Sequence, residues 1–208
     1  MRIAIIDYGM GNLRSIYKAF NKVGEKSFIT SDYKDLNNCD KIVLPGVGHF
    51  KQGISNLKKM NLFEPLKELV EIKEAPILGI CLGMQLMAKT SEEGDGEGFG
   101  WIDSKVVQFK INNFIRYKIP QMGWNTLKLI DDNEPLFNGI NSYDEFYFVH
   151  SYHLSETKKN QILAKTRYEY DFVSAVKKNN IVGYQFHHEK SHDAGYNLIK
   201  NFLFSYYD

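Results

Sequence analysis

The sequence predicts an α/β fold: an open, mostly parallel β-sheet flanked by helices, with an antiparallel strand extension in the second half. In the first half, short apolar runs at residues 3–6, 41–44 and 75–78 alternate with segments of helical periodicity. Short apolar strands separated by amphipathic helices are typical of a parallel sheet that is covered on both faces. From about Ser91 onwards, strand-like runs with turn residues between them replace this alternation, which favours antiparallel pairing.

The helices are predicted from apolar residues spaced three or four positions apart. Those residues are Leu13, Ile16, Tyr17 and Phe20 in one helix, Phe50, Ile54 and Leu57 in the next, Leu62, Leu66, Leu69 and Val70 in a third, and 84–88 in a fourth. Gly24 is the expected end of the first helix. The chain closes with a further helix, whose shared face consists of Ile199, Phe202, Leu203 and Tyr206.

The second half begins with a glycine-rich acidic segment, 92–98, which is predicted to be a loop without core residues. Strand-like runs follow at 105–110, 126–130, 145–153, 162–166 and 172–177. The last of these runs is expected to turn at 178–180 into 181–186 and form a hairpin. Since no segment rich in Pro or Ser divides the halves, residues 1–208 are expected to form one domain.

Composition excludes several classes of function. The 208 residues carry a net charge of +1, without a basic tract, so neither nucleic acid nor a membrane surface is an expected partner. The first residues reach Asp7 too soon for a signal peptide, and no apolar run approaches the roughly 20 residues that span a bilayer. Cys39 and Cys81 give no disulfide framework, so we expect a cytoplasmic protein with reduced thiols.

Cys81 lies between Gly79 and Gly83, directly after an apolar run and directly before a predicted helix. This arrangement is typical of a nucleophile elbow, a sharp strand-to-helix turn that exposes its central residue above the edge of the sheet. The partial positive charge of a helix N-terminus favours the thiolate over the thiol. A buried cysteine in a tight turn is the alternative interpretation.

His187 and Glu189 follow the last predicted strand and are two residues apart, so on extended backbone they project to the same side. A histidine that accepts a proton from a thiol and is held by a carboxylate activates the nucleophile. By themselves, the two residues could be a strand-end histidine and a solvated acid. The elbow around Cys81 in the same chain favours a Cys81–His187–Glu189 triad.

The same region suggests a metal site as an alternative, because it also contains His188 and His192. However, the spacing differs from the helical HExxH pattern, and a strand would direct His187 and His188 to opposite sides. We therefore expect neither a metal ion nor a cofactor.

Six stretches in the same order along the chain carry a resemblance to a known family. They are DYGMGN at 7–12, PGVG at 45–48, GICLGMQ at 79–85, MGWN at 122–125, YFVHSY at 147–152 and FHHEK at 186–190. Together they resemble the class I (triad) glutamine amidotransferases, which have a flavodoxin-like fold. Within that class they are most similar to the glutaminase subunits of imidazole glycerol phosphate synthase.

The resemblance implies a reaction. Cys81 would attack the side-chain amide of glutamine to give a glutamyl thioester, His187 would carry the proton to the leaving ammonia and then activate water, and Glu189 would orient His187. Two backbone N–H groups, those of Leu82 and Val47, would stabilise the oxyanion. In the family, the loop around Val47 has to reorient to complete this oxyanion hole.

The resemblance also implies binding residues and a partner. Glutamine would be held by Gly48, Gln85, Glu93, Ser151 and Tyr152, with Glu93 facing the substrate ammonium group. The ammonia would pass through an internal channel to a synthase (cyclase) subunit in a heterodimer. The positions that face this synthase in the family are Asn12, Gln121, Trp124, Tyr147 and Lys190.

Two positions depart from the family pattern. His188 stands where the family has proline between the catalytic histidine and glutamate, and Gln121 stands where it has histidine before MGWN. The second departure leaves the partner open, since related glutaminase subunits supply ammonia to synthases that modify surface sugars. A stand-alone cysteine hydrolase and a catalytically inactive interaction module are further alternatives.

Overall fold

The computed structural model of the protein describes residues 1–204 and confirms the α/β architecture. The strands of the first half are β1 (Arg2–Ile6), β2 (Lys26–Thr30), β3 (Lys41–Leu44) and β4 (Ile77–Ile80). The helices are α1 (Leu13–Lys22), α2 (Phe50–Lys59), α3 (Phe63–Lys67, continued by a π-helical turn at Glu68–Ile72), α4 (Leu82–Leu86) and α5 (His192–Phe204). Short 3₁₀ turns lie at Tyr33–Asn38, Pro135–Phe137, Lys159–Gln161 and His188–Lys190.

The second half supplies the remaining strands. They are β5 (Thr90–Ser91), β6 (Gly96–Glu97), β7 (Lys105–Gln108), β8 (Gln121–Thr126), β9 (Lys128–Leu129), β10 (Glu145–His150), β11 (Tyr152–Ser155), β12 (Ile162–Tyr168), β13 (Tyr170–Lys178) and β14 (Ile181–Tyr184). The predicted hairpin is present, because β13 and β14 pair antiparallel across the turn between them.

The central sheet is parallel in the order β2-β1-β3-β4-β14 and continues through the antiparallel neighbours β13, β11 and β7. The last strand of the chain, β14, thus lies beside β4 in the middle of the sheet. Strands β8 and β10 form a separate antiparallel ribbon. The ribbon reaches the site because Tyr147 in β10 forms an isolated bridge with His187.

Two apolar cores cover the two faces of the sheet. In β1, Ala4 and Ile6 belong to the core that includes α2, α3 and α4, whereas Ile3 and Ile5 belong to the core that includes α1 and α5. All four side chains are fully buried. Burial on both faces explains why the parallel strands are continuous apolar runs in the sequence.

Strand β2 was not predicted, because it lies at the edge of the sheet and lacks an apolar run. Of its residues, only Thr30 is buried. The run 145–153 is two strands rather than one: β10 pairs with β8, and after Ser151 the chain enters β11, which pairs with β7 and β13. The strand before Cys81 begins and ends two residues later than predicted.

The acidic segment 92–98 was expected to be a loop only, and this was wrong in part. Gly96–Glu97 pairs with Thr90–Ser91, so the segment is the end of a small hairpin. The hairpin packs on α2, where a side chain at Gly96 would meet the ring of Phe50.

The closing helix α5 buries Ile199, Phe202 and Leu203 as predicted, while Tyr206 lies outside the described residues. Within residues 1–204, the helices are too short or too polar to cross a bilayer.

Replacement of Gly83 by alanine tests the close contact between α4 and β3. A Cβ at Gly83 would overlap the backbone carbonyl oxygen of Leu44, which cannot move without disturbing the sheet. We expect Gly83→Ala to lower the free energy of unfolding by about 2 kcal/mol or more, as measured by urea denaturation. Gly53→Ala is the control, because its methyl would meet only the flexible ends of two leucine side chains, Leu86 at 3.2 Å and Leu82 at 3.6 Å. A change of less than about 1 kcal/mol in both variants contradicts this account.

Candidate active site

The candidate site lies where β4 and β14 end side by side. These strands are parallel and in register from Ile77 with Ile181 to Ile80 with Tyr184. The N–H of Cys81 then donates a hydrogen bond of 2.8 Å to the carbonyl of Tyr184. Because both strands run in the same direction, the residues that follow them meet at one edge of the sheet. Cys81 and the 185–189 segment are therefore neighbours, although about a hundred residues separate them.

Cys81 has the backbone of a strained strand-to-helix turn. Its φ is +54°, an uncommon value for a residue with a side chain, and α4 begins at the next residue. Gly79 gives the turn its space, because a Cβ there would lie 2.8 Å from the backbone nitrogen of Met84. The Cys81 side chain is 5% exposed and lies in the wall of a cleft. The local geometry is that of the predicted elbow.

His187 and Glu189 are in direct contact. The Nδ1 atom of His187 lies 2.8 Å from Oε1 of Glu189, and both side chains are almost fully buried. The expectation that they project from extended backbone was wrong, because Glu189 lies in the 3₁₀ turn His188–Lys190. The turn reverses the chain and brings the carboxylate back to the imidazole.

The backbone of His187 is held from two sides. Its N–H donates to the carbonyl of Tyr147 at 2.8 Å, and its carbonyl accepts from the hydroxyl of Ser191 at 2.7 Å. Neither contact follows from the motif itself. Together they fix the imidazole at the edge of the sheet.

The charges of His187 and Glu189 support each other. Burial opposes a charge on His187, but its interactions with Cys81 and Glu189 outweigh burial and raise the pKa of His187 to about 10. Burial likewise opposes the charge of Glu189, yet the hydrogen bond and charge of His187 hold the pKa of this carboxyl below its usual range. Among the described residues, the buried Nε2 atom of His187 has no hydrogen-bond partner, which leaves it available to a substrate or to the Cys81 thiol that contributes to its raised pKa.

The loop 45–48 packs against the elbow. The hydroxyl of the fully buried Tyr8 donates to the carbonyl of Pro45 at 2.7 Å, and burial raises the pKa of Tyr8 far above its usual range. The N–H of Leu82, which is one of the predicted oxyanion donors, donates to the carbonyl of Gly46 at 3.3 Å. In this conformation the Leu82 N–H, which an oxyanion would need as a donor, is already bonded to the Gly46 carbonyl.

A cleft of about 320 Å³ opens beside Cys81. Its volume suits a small polar molecule such as an amino acid. Its lining brings together all the predicted substrate-binding and oxyanion positions, which are Val47, Gly48, Leu82, Gln85, Glu93, Ser151 and Tyr152. It also contains residues that we did not predict, namely Pro120, Val149 and His150.

Two of the predicted substrate residues already have protein partners. Gln85 is almost fully buried, and its Nε2 atom donates to the carbonyl of Tyr152 at 2.9 Å and to Oε1 of Gln185 at 3.0 Å. Glu93 is half-buried and accepts from the N–H of Phe50, the first residue of α2, at 2.6 Å. Each side chain thus helps to shape the cleft while lining it.

Sequence reasoning missed two buried polar residues, one beside the Cys81 sulfur and one in the lining of the cleft. Gln185 is fully buried, and its Nε2 atom lies 3.7 Å from the Sγ atom of Cys81. The Nδ1 atom of His150 lies 2.7 Å from the carbonyl oxygen of Tyr152, and burial lowers the pKa of His150 to about 3. His150 continues the alternating burial of β10, whereas Gln185 follows β14, in which every residue is buried. Only their polarity beside apolar neighbours could have indicated a role.

The predicted synthase-facing residues divide into an exposed group and a buried one. Trp124 and Tyr147 are cross-strand neighbours in the β8–β10 ribbon with ring centres 5.7 Å apart, and Lys190 lies over the Tyr147 ring at 5.1 Å. Asn12 is exposed at the start of α1. Gln121, by contrast, is only 3% exposed, so its place at the synthase-facing side stays a prediction.

His188, which stands where the family has proline, points into the core. It is fully buried with its ring edge-on to Phe20 and Tyr184, and both ring nitrogens are without hydrogen-bond partners within residues 1–204. Burial lowers the pKa of His188 to about 4. The side chain is a neutral core residue. In the part of the chain that the structure describes, no group of three His, Cys, Asp or Glu side chains could hold a metal ion.

An elbow cysteine, a buried His–Glu pair and a small polar cleft on a largely parallel sheet define the α/β proteins that carry out acyl transfer through a thiol. The family model described as glutamine amidotransferase class-I matches residues 4–206. The chain belongs to the class I glutamine amidotransferase family.

Named relatives cover nearly the whole chain. Imidazole glycerol phosphate synthase subunit HisH 2 of Methanococcus maripaludis is 47% identical over 201 residues, which cover 97% of this chain and 98% of the relative. Subunit HisH 1 of Campylobacter jejuni is 46% identical over 201 residues, or 96% and 98% of the two chains. A solved structure, that of a putative GMP synthase protein from Thermoplasma acidophilum, has a TM-score of 0.73 at 19% identity, over 98% of this chain and 92% of its own.

His188 makes stability depend on pH. In an unfolded chain the pKa of histidine is about 6.5. Between pH 6.5 and pH 4 the unfolded state therefore binds a proton that the folded state does not, and stability falls as pH falls. We expect His188→Pro, which places a proline at the first position of the turn, to reduce the slope of the unfolding free energy against pH by up to about 1.4 kcal/mol per unit.

Urea denaturation between pH 4.5 and 7.5 measures this slope. His49→Gln is the control for the removal of a histidine from an exposed position. The wild type and His188→Pro both retain the contribution of His150, so the difference between them isolates His188. Equal slopes in the wild type and His188→Pro would show that His188 is not kept neutral by the core.

Proposed function

We propose that the protein is the glutaminase subunit of an imidazole glycerol phosphate synthase, which hydrolyses L-glutamine and passes the ammonia to a cyclase subunit in histidine biosynthesis. The observation that carries this proposal is a cleft that brings Cys81 together with every predicted glutamine-binding position, at the sheet edge where His187 Nδ1 lies 2.8 Å from Oε1 of Glu189. The similarity to the named HisH subunits over nearly the full length supports the choice of synthase.

The first half of the reaction forms a thioester. The raised pKa of His187 favours an imidazolium beside the Cys81 sulfur, so the attacking group is the thiolate. The sulfur adds to the side-chain amide carbon of glutamine and gives a tetrahedral oxyanion. The imidazolium then donates its proton to the amide nitrogen, the carbon–nitrogen bond breaks, and ammonia leaves.

The second half releases glutamate. Neutral His187 takes a proton from water, the hydroxide adds to the thioester carbon, and the carbon–sulfur bond breaks to return the thiolate. Glu189 accepts the Nδ1 hydrogen of His187 throughout, which keeps the Nε2 atom directed at the sulfur and the substrate. No group outside the chain is needed apart from water.

The oxyanion requires a rearrangement of the loop 45–48. The Gly46 carbonyl accepts from Leu82, so only after rotation of the Gly46–Val47 peptide would the N–H groups of Leu82 and Val47 both face the oxyanion. Docking of the partner subunit would cause this peptide rotation. The protein without its partner is accordingly expected to be a poor glutaminase.

The synthase would bind the surface that contains Trp124, Tyr147 and Lys190. Trp124 is 44% exposed, and aromatic side chains are enriched in protein interfaces. The N–H of His187 donates to the carbonyl of Tyr147, so this surface is one hydrogen bond from the triad. A single domain for residues 1–208, a heterodimer and a cytoplasmic location remain part of the proposal.

Ammonia release from glutamine tests the function. We expect the wild type to release ammonia strongly only with the histidine-pathway cyclase from the same organism and its nucleotide ligand. Cys81→Ala should abolish this release, because no other group in the cleft can form the thioester, yet it should still bind the cyclase. Cys39→Ala is the matched control, since Cys39 lies outside the cleft and should be dispensable.

Two results would contradict the proposal in different ways. Activity that persists in Cys81→Ala removes the thioester mechanism. A folded wild type that stays inactive with the cyclase, but is stimulated by a synthase that aminates a surface sugar, keeps the chemistry and replaces the partner.

The Val47 backbone can be tested separately. Val47→Pro removes the predicted N–H donor, and we expect a loss of about 10²–10³ in the stimulated kcat, the usual effect of one oxyanion donor. Val47→Ala retains the N–H and should keep most of the activity. Steady-state assays with the cyclase bound measure the kcat of both variants. A similar kcat for the two variants would rule out Val47 as a donor.

A further inference from the structure

The geometry points to Gln185 as a catalytic residue of this site: its amide N–H donates to the Cys81 sulfur, and Gln85 and Tyr152 fix the direction of that amide. The inference rests on the proposed function, because it concerns the same nucleophile. It adds a residue that the triad description does not contain.

Gln185 is placed for this role by the sheet. It directly follows β14, is fully buried, and its backbone N–H donates to the carbonyl of Ser174 at 2.9 Å. Its Nε2 atom lies 3.7 Å from Sγ of Cys81, a distance suited to a sulfur acceptor, and its Oε1 atom accepts from Gln85 at 3.0 Å. A fully buried glutamine beside a nucleophile must satisfy both ends of its amide.

The orientation of the Gln185 amide follows from the Tyr152 carbonyl, which is the acceptor at the start of the hydrogen-bond chain. The carbonyl of Tyr152 can only accept, so the atom of Gln85 that lies 2.9 Å from it must be the amide nitrogen. That nitrogen has a second hydrogen, which requires an oxygen on Gln185 at 3.0 Å. The oxygen of Gln185 therefore faces Gln85, and its nitrogen faces the sulfur.

Donation from Gln185 has a chemical consequence. A thiolate accepts hydrogen bonds better than a thiol, so an N–H directed at the sulfur favours the thiolate. The thiolate is the attacking group when the thioester forms and the leaving group when it is hydrolysed. Tyr152 also lines the cleft, so one chain of hydrogen bonds joins the glutamine-binding wall to the sulfur.

The rate of alkylation of Cys81 by iodoacetamide, followed between pH 5 and pH 10, measures the thiolate directly. Quantifying the Cys81 peptide by mass spectrometry in the full-length protein needs neither glutamine nor a partner, so failure here and failure of the proposed function are separate results. Cys39 in the same chain is an internal reference.

Gln185→Met removes the donor and keeps the length of the side chain. We expect about tenfold slower alkylation of Cys81 at pH 7 and a pH profile displaced upwards by about one unit, with Cys39 unchanged. Gln85→Met should slow the reaction severalfold, because the Gln185 amide is then no longer held with its nitrogen towards the sulfur. Gln161→Met, which replaces a buried glutamine outside the cleft, should react like the wild type.

The displaced pH profile distinguishes donation from packing, because a residue that only fills space would lower stability without moving the profile. Circular dichroism and thermal unfolding establish that the variants fold. If Gln185→Met does not fold, the alkylation rate of Cys81 in Gln85→Met tests the inference instead. A folded variant of either kind with a Cys81 rate within twofold of the wild type at every pH overturns the inference.

Discussion

The parallel pairing of β4 with β14 is the constraint on which the site depends. The two strands come from distant parts of the chain, but their shared register, ending with Ile80 beside Tyr184, sets the elbow and the histidine segment at one edge. The hydrogen bond from Cys81 N–H to the Tyr184 carbonyl continues this pairing into the turn itself. Without this pairing, Cys81 and His187 would not lie at the same edge of the sheet.

The elements that hold the nucleophile also lead to the surface. Tyr147 bonds to His187 through its backbone, while its ring lies between Trp124 and Lys190 on the exposed face of the ribbon. On the other side of Cys81, the Gly46 carbonyl occupies the N–H of Leu82. His187 and Glu189 are thus paired while the Leu82 N–H is occupied, which agrees with the proposal that full activity requires a bound partner.

The sequence predicted the features that depend on local patterns. The parallel strands, the helices α1 and α2 and the final hairpin follow from apolar spacing and glycine positions, and the cleft contains the residues expected from the motifs. It did not predict β2, which has no apolar run, or the turn that brings Glu189 back to His187. Gln185, Gln121 and His188 could not be placed, because burial of a polar side chain depends on tertiary packing that no local pattern records.

The most direct measurement of the central claim uses a glutamine analogue with an electrophilic carbon in place of its side-chain amide. The protein is incubated with it alone and with the cyclase, and the labelled residue is located by mass spectrometry. The account predicts one adduct, on the Cys81 sulfur, that forms faster when the cyclase is bound and is lost in His187→Ala. Labelling of Cys39, or labelling of Cys81 that is indifferent to the loss of His187, would contradict it.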